Sequence, residues 1–189
     1  MTEQDIETRL AGVEAKLAIQ QLPVRYAMAV DARDFDALAE LYVDDVDMGQ
    51  LGCGHDALKA YFTDATAIFY RSVHQILGHN YELVDEDHAV GKVYCRAEHE
   101  RGDQWIAAMI CYFDHYERRD GRWLFSRNRE LDFFYCADIL EHPQAVDFQR
   151  WVLPGIKMDP PMMLPRFQNW KSFWAKHGQA AVDKLTTHP

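Results

Sequence analysis

The chain has 189 residues, 48% of them hydrophobic and 26% charged, which excludes a disordered tail, a collagen-like repeat and a minimal disulfide scaffold. At this length a single fold buries roughly 70% of the surface its unfolded chain exposes, so one domain with room for an enclosed pocket is expected. The formal charge of −10, from 20 Lys and Arg against 30 Asp and Glu, argues against nucleic-acid and anionic-membrane partners.

No apolar run is long enough to cross a bilayer, and Met1-Thr2-Glu3-Gln4-Asp5 lacks the basic start of a signal peptide, so a cytoplasmic location is expected. Ten Phe, nine Tyr and five Trp are more than a core of this size needs, which points to a cavity or an interface. The four cysteines, Cys53, Cys95, Cys111 and Cys136, show no CxxC spacing and read as reduced, buried thiols. No metal or other cofactor is expected.

Taken in chain order, Ile6, Leu10, Val13 and Leu17 recur at spacings of an amphipathic helix that should lie on something apolar. Pro23 either kinks this helix or opens a second one running to about Val30. Asp34 reads as the N-cap of a short helix carrying Phe35, Leu38, Leu41 and Tyr42. Gly49, Gly52 and Gly54 mark loops, and Ala57 to Ala67 is helical on Leu58, Tyr61 and Phe62.

From Ser72 the period changes. Asp85-Glu86-Asp87, Arg101-Gly102-Asp103 and Arg119-Asp120-Gly121 read as turns between strands over 73–84, 88–100, 105–117 and 122–134. Helices followed by a meander make an α+β fold. Trp105 to Phe113 is nearly all apolar, so this strand should be covered on both faces, by the helices and by a partner subunit of a homodimer or homotrimer. Residues 1–135 form the domain. Residues 136–189 form an apolar extension in which Pro154, Pro160, Pro161 and Pro165 break the chain around Met158, Met162 and Met163, before Phe167, Trp170, Phe173 and Trp174 resume helical spacing. It should pack on the body or on a partner, as structure or as a lid.

Chemistry could sit at Asp31, on the end of an apolar helix, and His74, which opens the first long strand. In contact, the carboxylate would fix the imidazole tautomer, stabilise the imidazolium and leave the other ring nitrogen as a base near neutral pH. Residue types alone do not place the two together.

The run from Ala18 through Val30-Asp31-Ala32-Arg33-Asp34 to Leu38, then Leu41-Tyr42-Val43-Asp44-Asp45, resembles the opening of SnoaL-like proteins of the nuclear transport factor 2-like superfamily. Tyr116 to Trp123 resembles the family's last hairpin, and the likeness spans about 5–134. It implies a cone-shaped α+β barrel, with N-terminal helices packed on a curved antiparallel sheet. The superfamily holds dehydratases, dehydrohalogenases, isomerases, cyclases and non-enzymes, so the fold does not set the reaction. In its dehydrochlorinase, scytalone dehydratase and bile-acid dehydratase members an Asp and a His at positions matching Asp31 and His74 form a catalytic pair. Tyr26 matches an active-site Tyr of the bile-acid enzyme, although five residues along a helix turn about 140°, which sets Tyr26 beside Asp31 only if the helix ends between them. His99 matches a second active-site His of scytalone dehydratase.

The departures are Ile110 and Tyr112, where scytalone dehydratase has Ser and Asn, and Ala97, where the bile-acid enzyme has a second Asp, so neither specific activity transfers. Val93, Ala97, Ala108, Ile110 and Tyr112 would then form an apolar wall for a flat hydrophobic substrate, with Asn128 and Asp132 as polar contacts and Arg71 or Tyr42 holding a phenol. The resemblance implies a cofactor-independent lyase acting on a hydroxylated aromatic or polycyclic small molecule by dehydration or fragment elimination such as deformylation. His74 and Asp31 would move the proton and Tyr26 would assist the leaving hydroxyl. The alternatives are an isomerase or cyclase using the same pair, and a non-catalytic ligand-binding module. A metal site from His74, His79 and His99 matches no ligand spacing.

Overall fold

The change from helical to two-residue periodicity is realised as three helices, a four-stranded meander and a final helix, in a computed structural model that describes residues 2–140 and 168–186, with parts of the last strand and last helix described by backbone alone. The elements are α1 (Glu3–Ala32), α2 (Phe35–Ala39), α3 (His55–Thr66), β1 (Arg71–Leu83), β2 (His88–Arg101), β3 (Gln104–Arg119), β4 (Arg122–Leu140) and α4 (Gln168–Thr186). The sheet is antiparallel in the order β1-β2-β3-β4, and all three predicted turns are present. This is the expected α+β architecture. β4 runs to Leu140, past the expected boundary at 135.

Helix α1 opens on a capping box in which the Asp5 N–H donates to Thr2 Oγ1 and the Thr2 N–H donates to Asp5 Oδ2. Pro23 does not begin a second helix, because a single helix runs through it. Its nitrogen has no hydrogen for the carbonyl one turn back, and packing of the buried ring holds the helix there instead. Ala15, Ile19, Leu22, Tyr26 and Val30 form the buried line of α1. Ile6, Leu10, Val13 and Leu17 do not lie on the chain's own core: they are 50–58% exposed, and Val24 and Met28 continue their line. Leu17 and Ile19 are two residues apart, about 200° around the helix, so α1 is apolar on two opposite sides. Periodicity finds such a stripe without saying which of two stripes the core takes.

Alternation along the strands sends Ser72, His74 and Ile76 of β1 to the inner, helix-facing side of the sheet. His74 stands opposite Ala97, which stands opposite Ala108. Val93, Cys95, Ala97, Ala108 and Ile110 are buried along this face, while Ala107 and Cys111 are buried on the other, so β3 is covered on both sides. Irregularities at Ile76/Gly78, Met109/Ile110 and Asp114/Tyr116 bend the sheet around the helices. The Val43 N–H donates to the Phe125 carbonyl and the Phe125 N–H to that of Leu41, which ties the segment after α2 to β4. As expected, Asp34 caps α2, accepting from the Ala37 N–H at 3.1 Å.

Helix α4 packs on the same chain: Trp170 Nε1 donates to the Tyr70 carbonyl at 3.0 Å, and Phe173 meets Phe35 edge-on at 5.9 Å. Trp151, Pro154, Pro160, Pro161, Pro165, Met158, Met162, Met163 and Phe167 lie outside the described residues.

Away from His74 the inner face carries a buried polar group. The Tyr116 hydroxyl donates to Asp114 and lies 2.9 Å from His79 Nε2. Gly91 makes room for it, since a Cβ there would stand 3.0 Å from the Tyr116 ring, 3.1 Å from His79 Nε2 and 3.2 Å from the Asn80 carbonyl. These neighbours are held by their own hydrogen bonds, so Gly91→Ala should destabilise the fold by about 1–3 kcal/mol, read as a lower urea midpoint at unchanged slope. A variant as stable as the parent would show that the sheet relaxes there without strain.

Candidate active site

Asp31 occupies the last turn of α1, and the chain turns immediately after it. Arg33 adopts the left-handed conformation (φ 58°) and its N–H closes the helix on the carbonyls of Ala29 and Val30. This leaves Asp31 facing the start of β1, where its carboxylate accepts two hydrogen bonds from one residue. The His74 backbone N–H donates to Oδ2 at 2.9 Å and the ring Nδ1 donates to Oδ1 at 2.7 Å. Both side chains are largely buried. With its proton held at Nδ1, a neutral His74 presents the lone pair of Nε2.

Tyr26 joins this pair by a route the sequence did not suggest. The helix does not end between Tyr26 and Asp31, and the two residues do diverge around it. His74 sits between their directions, so the Asp31 carboxylate takes one side of the ring and the Tyr26 ring meets it edge-on at 6.3 Å. Tyr26 also contacts Phe62, Tyr112 and Phe125 edge-on. With Tyr42, Met48, Phe62, Tyr112 and Ser126 it lines a cavity of about 180 Å³.

His99 lies beside His74 with ring centroids 5.5 Å apart, stacked on Phe69 at 4.3 Å, its Nδ1 3.1 Å from Ser72 Oγ. Burial, then the neighbouring charges of His74 and Arg33, push its pKa down to about 3. Arg33 is buried, and it donates to the carbonyls of Val30 and Phe69 and to Ser72 Oγ. Burial lowers the Arg33 pKa to about 10, opposed by the charge of Asp31, so the guanidinium stays charged at neutral pH. The Phe173 ring of α4 lies over it at 5.7 Å.

Other expected site residues stand elsewhere. Arg71 lies an odd number of positions from His74 on the same strand, which sends it to the opposite face, where it is buried in an ion pair with Glu100, its cross-strand neighbour. It therefore cannot hold a phenol beside His74. Asp132 is exposed and paired with Cys111, whose side chain faces away from Tyr112, so it does not reach the cavity either. Ile110 is sealed into the inner face and does not line the cavity. The side chain of Asn128 lies outside the described residues. His79 is bonded to Tyr116 instead of joining His74 and His99.

Arg33 and Ser72 were not expected. Ser72 was detectable, since two positions along a strand share a face and it precedes His74 by two. Arg33 was not, because only the left-handed turn folds its side chain back under β1.

A curved antiparallel sheet with an Asp and His pair on its inner face, an aromatic cavity beside them and helices across the opening defines a small-molecule pocket protein of the α+β cone class. The chain belongs to the SnoaL-like domain family, which matches residues 11–129, and through it to the nuclear transport factor 2-like superfamily. Gamma-hexachlorocyclohexane dehydrochlorinase of Sphingobium indicum is 30% identical over 133 residues, spanning 66% of this chain and 85% of the relative. The crystal structure of LinA is similar at 25% identity with a TM-score of 0.63, covering 81% of this chain and 99% of that one. A scytalone-dehydratase-like protein from Novosphingobium aromaticivorans has a TM-score of 0.60 at 23% identity, over 70% of this chain and 92% of that one, which speaks for the fold alone.

The depressed pKa of His99 makes stability depend on pH with a definite sign. Between the ordinary histidine value of 6.5 and about 3 the unfolded chain binds a proton at this residue and the folded chain does not, so stability falls as pH drops. Between pH 7 and pH 5 this residue should account for about 2 kcal/mol of lost stability. Urea titrations at both pH values, on the parent and on His99→Gln, should show a smaller loss in the variant. Equal losses would show that His99 takes up a proton as readily folded as unfolded.

Proposed function

We propose that the chain is a cofactor-independent lyase that eliminates water or a small fragment from a hydroxylated aromatic or polycyclic molecule, with Asp31 and His74 as its acid and base. The observation that carries this is the double hydrogen bond from His74 to Asp31, at 2.7 and 2.9 Å, which leaves Nε2 of an oriented imidazole as proton acceptor. A ligand-binding module does not require that geometry. The dehydrochlorinase names of the relatives agree with elimination as the reaction type.

His74 Nε2 takes a proton from a carbon or phenol of the substrate, and Asp31 stabilises the imidazolium that forms. The freed electron pair becomes a new double bond, or a quinone methide where a para-phenol pushes, as the bond to the leaving hydroxyl breaks. That hydroxyl takes a proton from Tyr26 and departs as water, and the imidazolium proton restores Tyr26. Deformylation follows where, once the quinone methide has formed, the base takes the hydroxyl proton of an adjacent hydroxymethyl group, the carbon–carbon bond breaks to release formaldehyde, and its electron pair returns the quinone methide to the phenol, which takes up that proton. Tyr42 and Tyr112, which line the cavity, hold the flat substrate, and the neutral His99 ring stands beside His74. Acid and base terms of about 10² to 10⁴ each are within reach of such groups, and positioning supplies the rest.

We further propose that copies associate as a homodimer or homotrimer through the outer sheet face, where Tyr94 and Phe134 pack together edge-on yet remain exposed.

The test is turnover of a panel of benzylic phenolic diols and of gamma-hexachlorocyclohexane, followed by mass spectrometry, for the parent, His74→Ala and Asp31→Asn. The parent should release water or a one-carbon fragment, and each variant should lose about 10² to 10⁴ in kcat/KM. Undiminished turnover in both variants would overturn the assignment. A product of unchanged mass would assign the pair to an isomerase or cyclase, and binding without turnover to a ligand carrier.

A further inference from the structure

We infer that His99 is a hydrogen-bond donor of the reaction site, locked as its neutral Nε2–H tautomer by Ser72 and Arg33, which act as positioning residues behind it. The part His99 plays in elimination rests on the lyase reading above, whereas its tautomer does not.

A guanidinium can only donate, so the Arg33 Nη2 contact at 3.2 Å makes Ser72 Oγ an acceptor, while Nη1 and Nη2 also donate to the Val30 and Phe69 carbonyls at 2.8 and 2.9 Å. The Ser72 hydroxyl keeps one proton of its own. Among the described residues the acceptor within its reach is His99 Nδ1, at 3.1 Å. Were Nδ1 to carry the proton instead, the buried hydroxyl would be left without an acceptor, at the full cost of its desolvation. Nδ1 therefore accepts, and the single proton of the neutral ring sits on Nε2.

Phe69 fixes the orientation, since its ring stacks on His99 at 4.3 Å while its carbonyl holds Arg33. The titratable and charged groups facing His99 are His74 from β1 and Arg33 from the end of α1. Both oppose a second proton on the ring, in keeping with its depressed pKa. His99 Nε2 makes no hydrogen bond among the described residues and is not sealed in, so it remains available to a ligand.

Two imidazoles 5.5 Å apart thus acquire opposite polarity from what stands behind each. A carboxylate behind His74 leaves a lone pair at Nε2, and a hydroxyl backed by a cation behind His99 leaves an N–H. In the proposed elimination the N–H of His99 is placed to donate to the substrate oxygen on which charge develops, without giving up its proton. Arg33 is suited to act through Ser72 and not by contact, because its Nη1 and Nη2 groups donate to Val30, Phe69 and Ser72 and Phe173 covers it. Its Nε has no partner and no carboxylate forms a salt bridge with it among the described residues, an arrangement that an apolar side chain of similar volume would relieve if stability alone were at stake.

The test is a long-range proton–nitrogen NMR correlation of the histidine rings in the full-length, nitrogen-labelled protein between pH 5 and 8, with the His99 signals identified by their loss in His99→Gln. His99 should be neutral and protonated at Nε2 throughout, Ser72→Ala should give a mixture of tautomers, and Ser72→Thr should restore the parent spectrum. Protonation at Nδ1 in the parent, titration of His99 near pH 6.5, or an unchanged tautomer in Ser72→Ala would each overturn the inference. On a turned-over substrate Ser72→Ala should lower kcat about tenfold with KM little changed. The expected tautomer together with a fully active His74→Ala would remove the lyase reading and leave this one standing. The reverse tautomer with an inactive His74→Ala would do the opposite.

Discussion

The contact on which this structure turns is the one between a helix end and a strand start. Asp31 accepts from both the backbone and the ring of His74, so a single carboxylate fixes the angle at which α1 meets β1 as well as the orientation of an imidazole. A buried carboxylate with one bond would be a liability in an apolar cone. Two short bonds, and the charge of Arg33 two residues on, offset its desolvation. The left-handed residue at Arg33 makes both possible: it stops the helix with Asp31 facing the sheet and returns its own side chain beneath β1, toward Ser72 and Phe69.

Around this joint the aromatic surplus of the sequence has a definite arrangement. Tyr26, Phe62, Tyr112 and Phe125 meet near-perpendicular edge-to-face, the geometry in which ring quadrupoles attract, and they join the cavity to the His74 ring. A second aromatic group, Tyr70, Trp170, Phe173 and Trp174, draws α4 against the entry to β1 and closes over Arg33. The C-terminal helix thus thickens the low-dielectric wall behind the site, which strengthens every hydrogen bond that Arg33 and Ser72 make there.

What could be read from the sequence follows from the range of the physics involved. Strand runs, turns, the cap at Asp34 and the helices-then-meander order are short-range properties, and they appear within a few residues of where periodicity puts them. Which of the two stripes of α1 the core takes is a long-range property, and the exposed one carries the larger residues at its N-terminal half. The meeting of Asp31 and His74 needed the likeness to a family, since nothing local connects residues 43 positions apart. Arg71 and Asp132 were misplaced for a local reason: strand parity puts them on the outer face, and proximity in sequence to His74 or to the last strand is no substitute for parity. The same parity picks out Ser72.

Elimination asks two opposed things of one small volume. A base must hold an open lone pair, and a donor must meet the charge that this base sets free. Two histidines in identical surroundings would share one protonation behaviour and could not divide the work. In the elimination proposed above, the division would come from the second ligand of each ring, an anion for His74 and a polarised hydroxyl for His99. The cation that polarises the hydroxyl is adjacent in chain to the anion that orients the base, separated by Ala32 alone. Asp31 and Arg33 therefore leave the net charge of the site near zero while creating a gradient across it. The neutral phenolic substrate proposed above would enter such a site without the desolvation cost of a charged one, and would meet the separated charges only as its own charge develops.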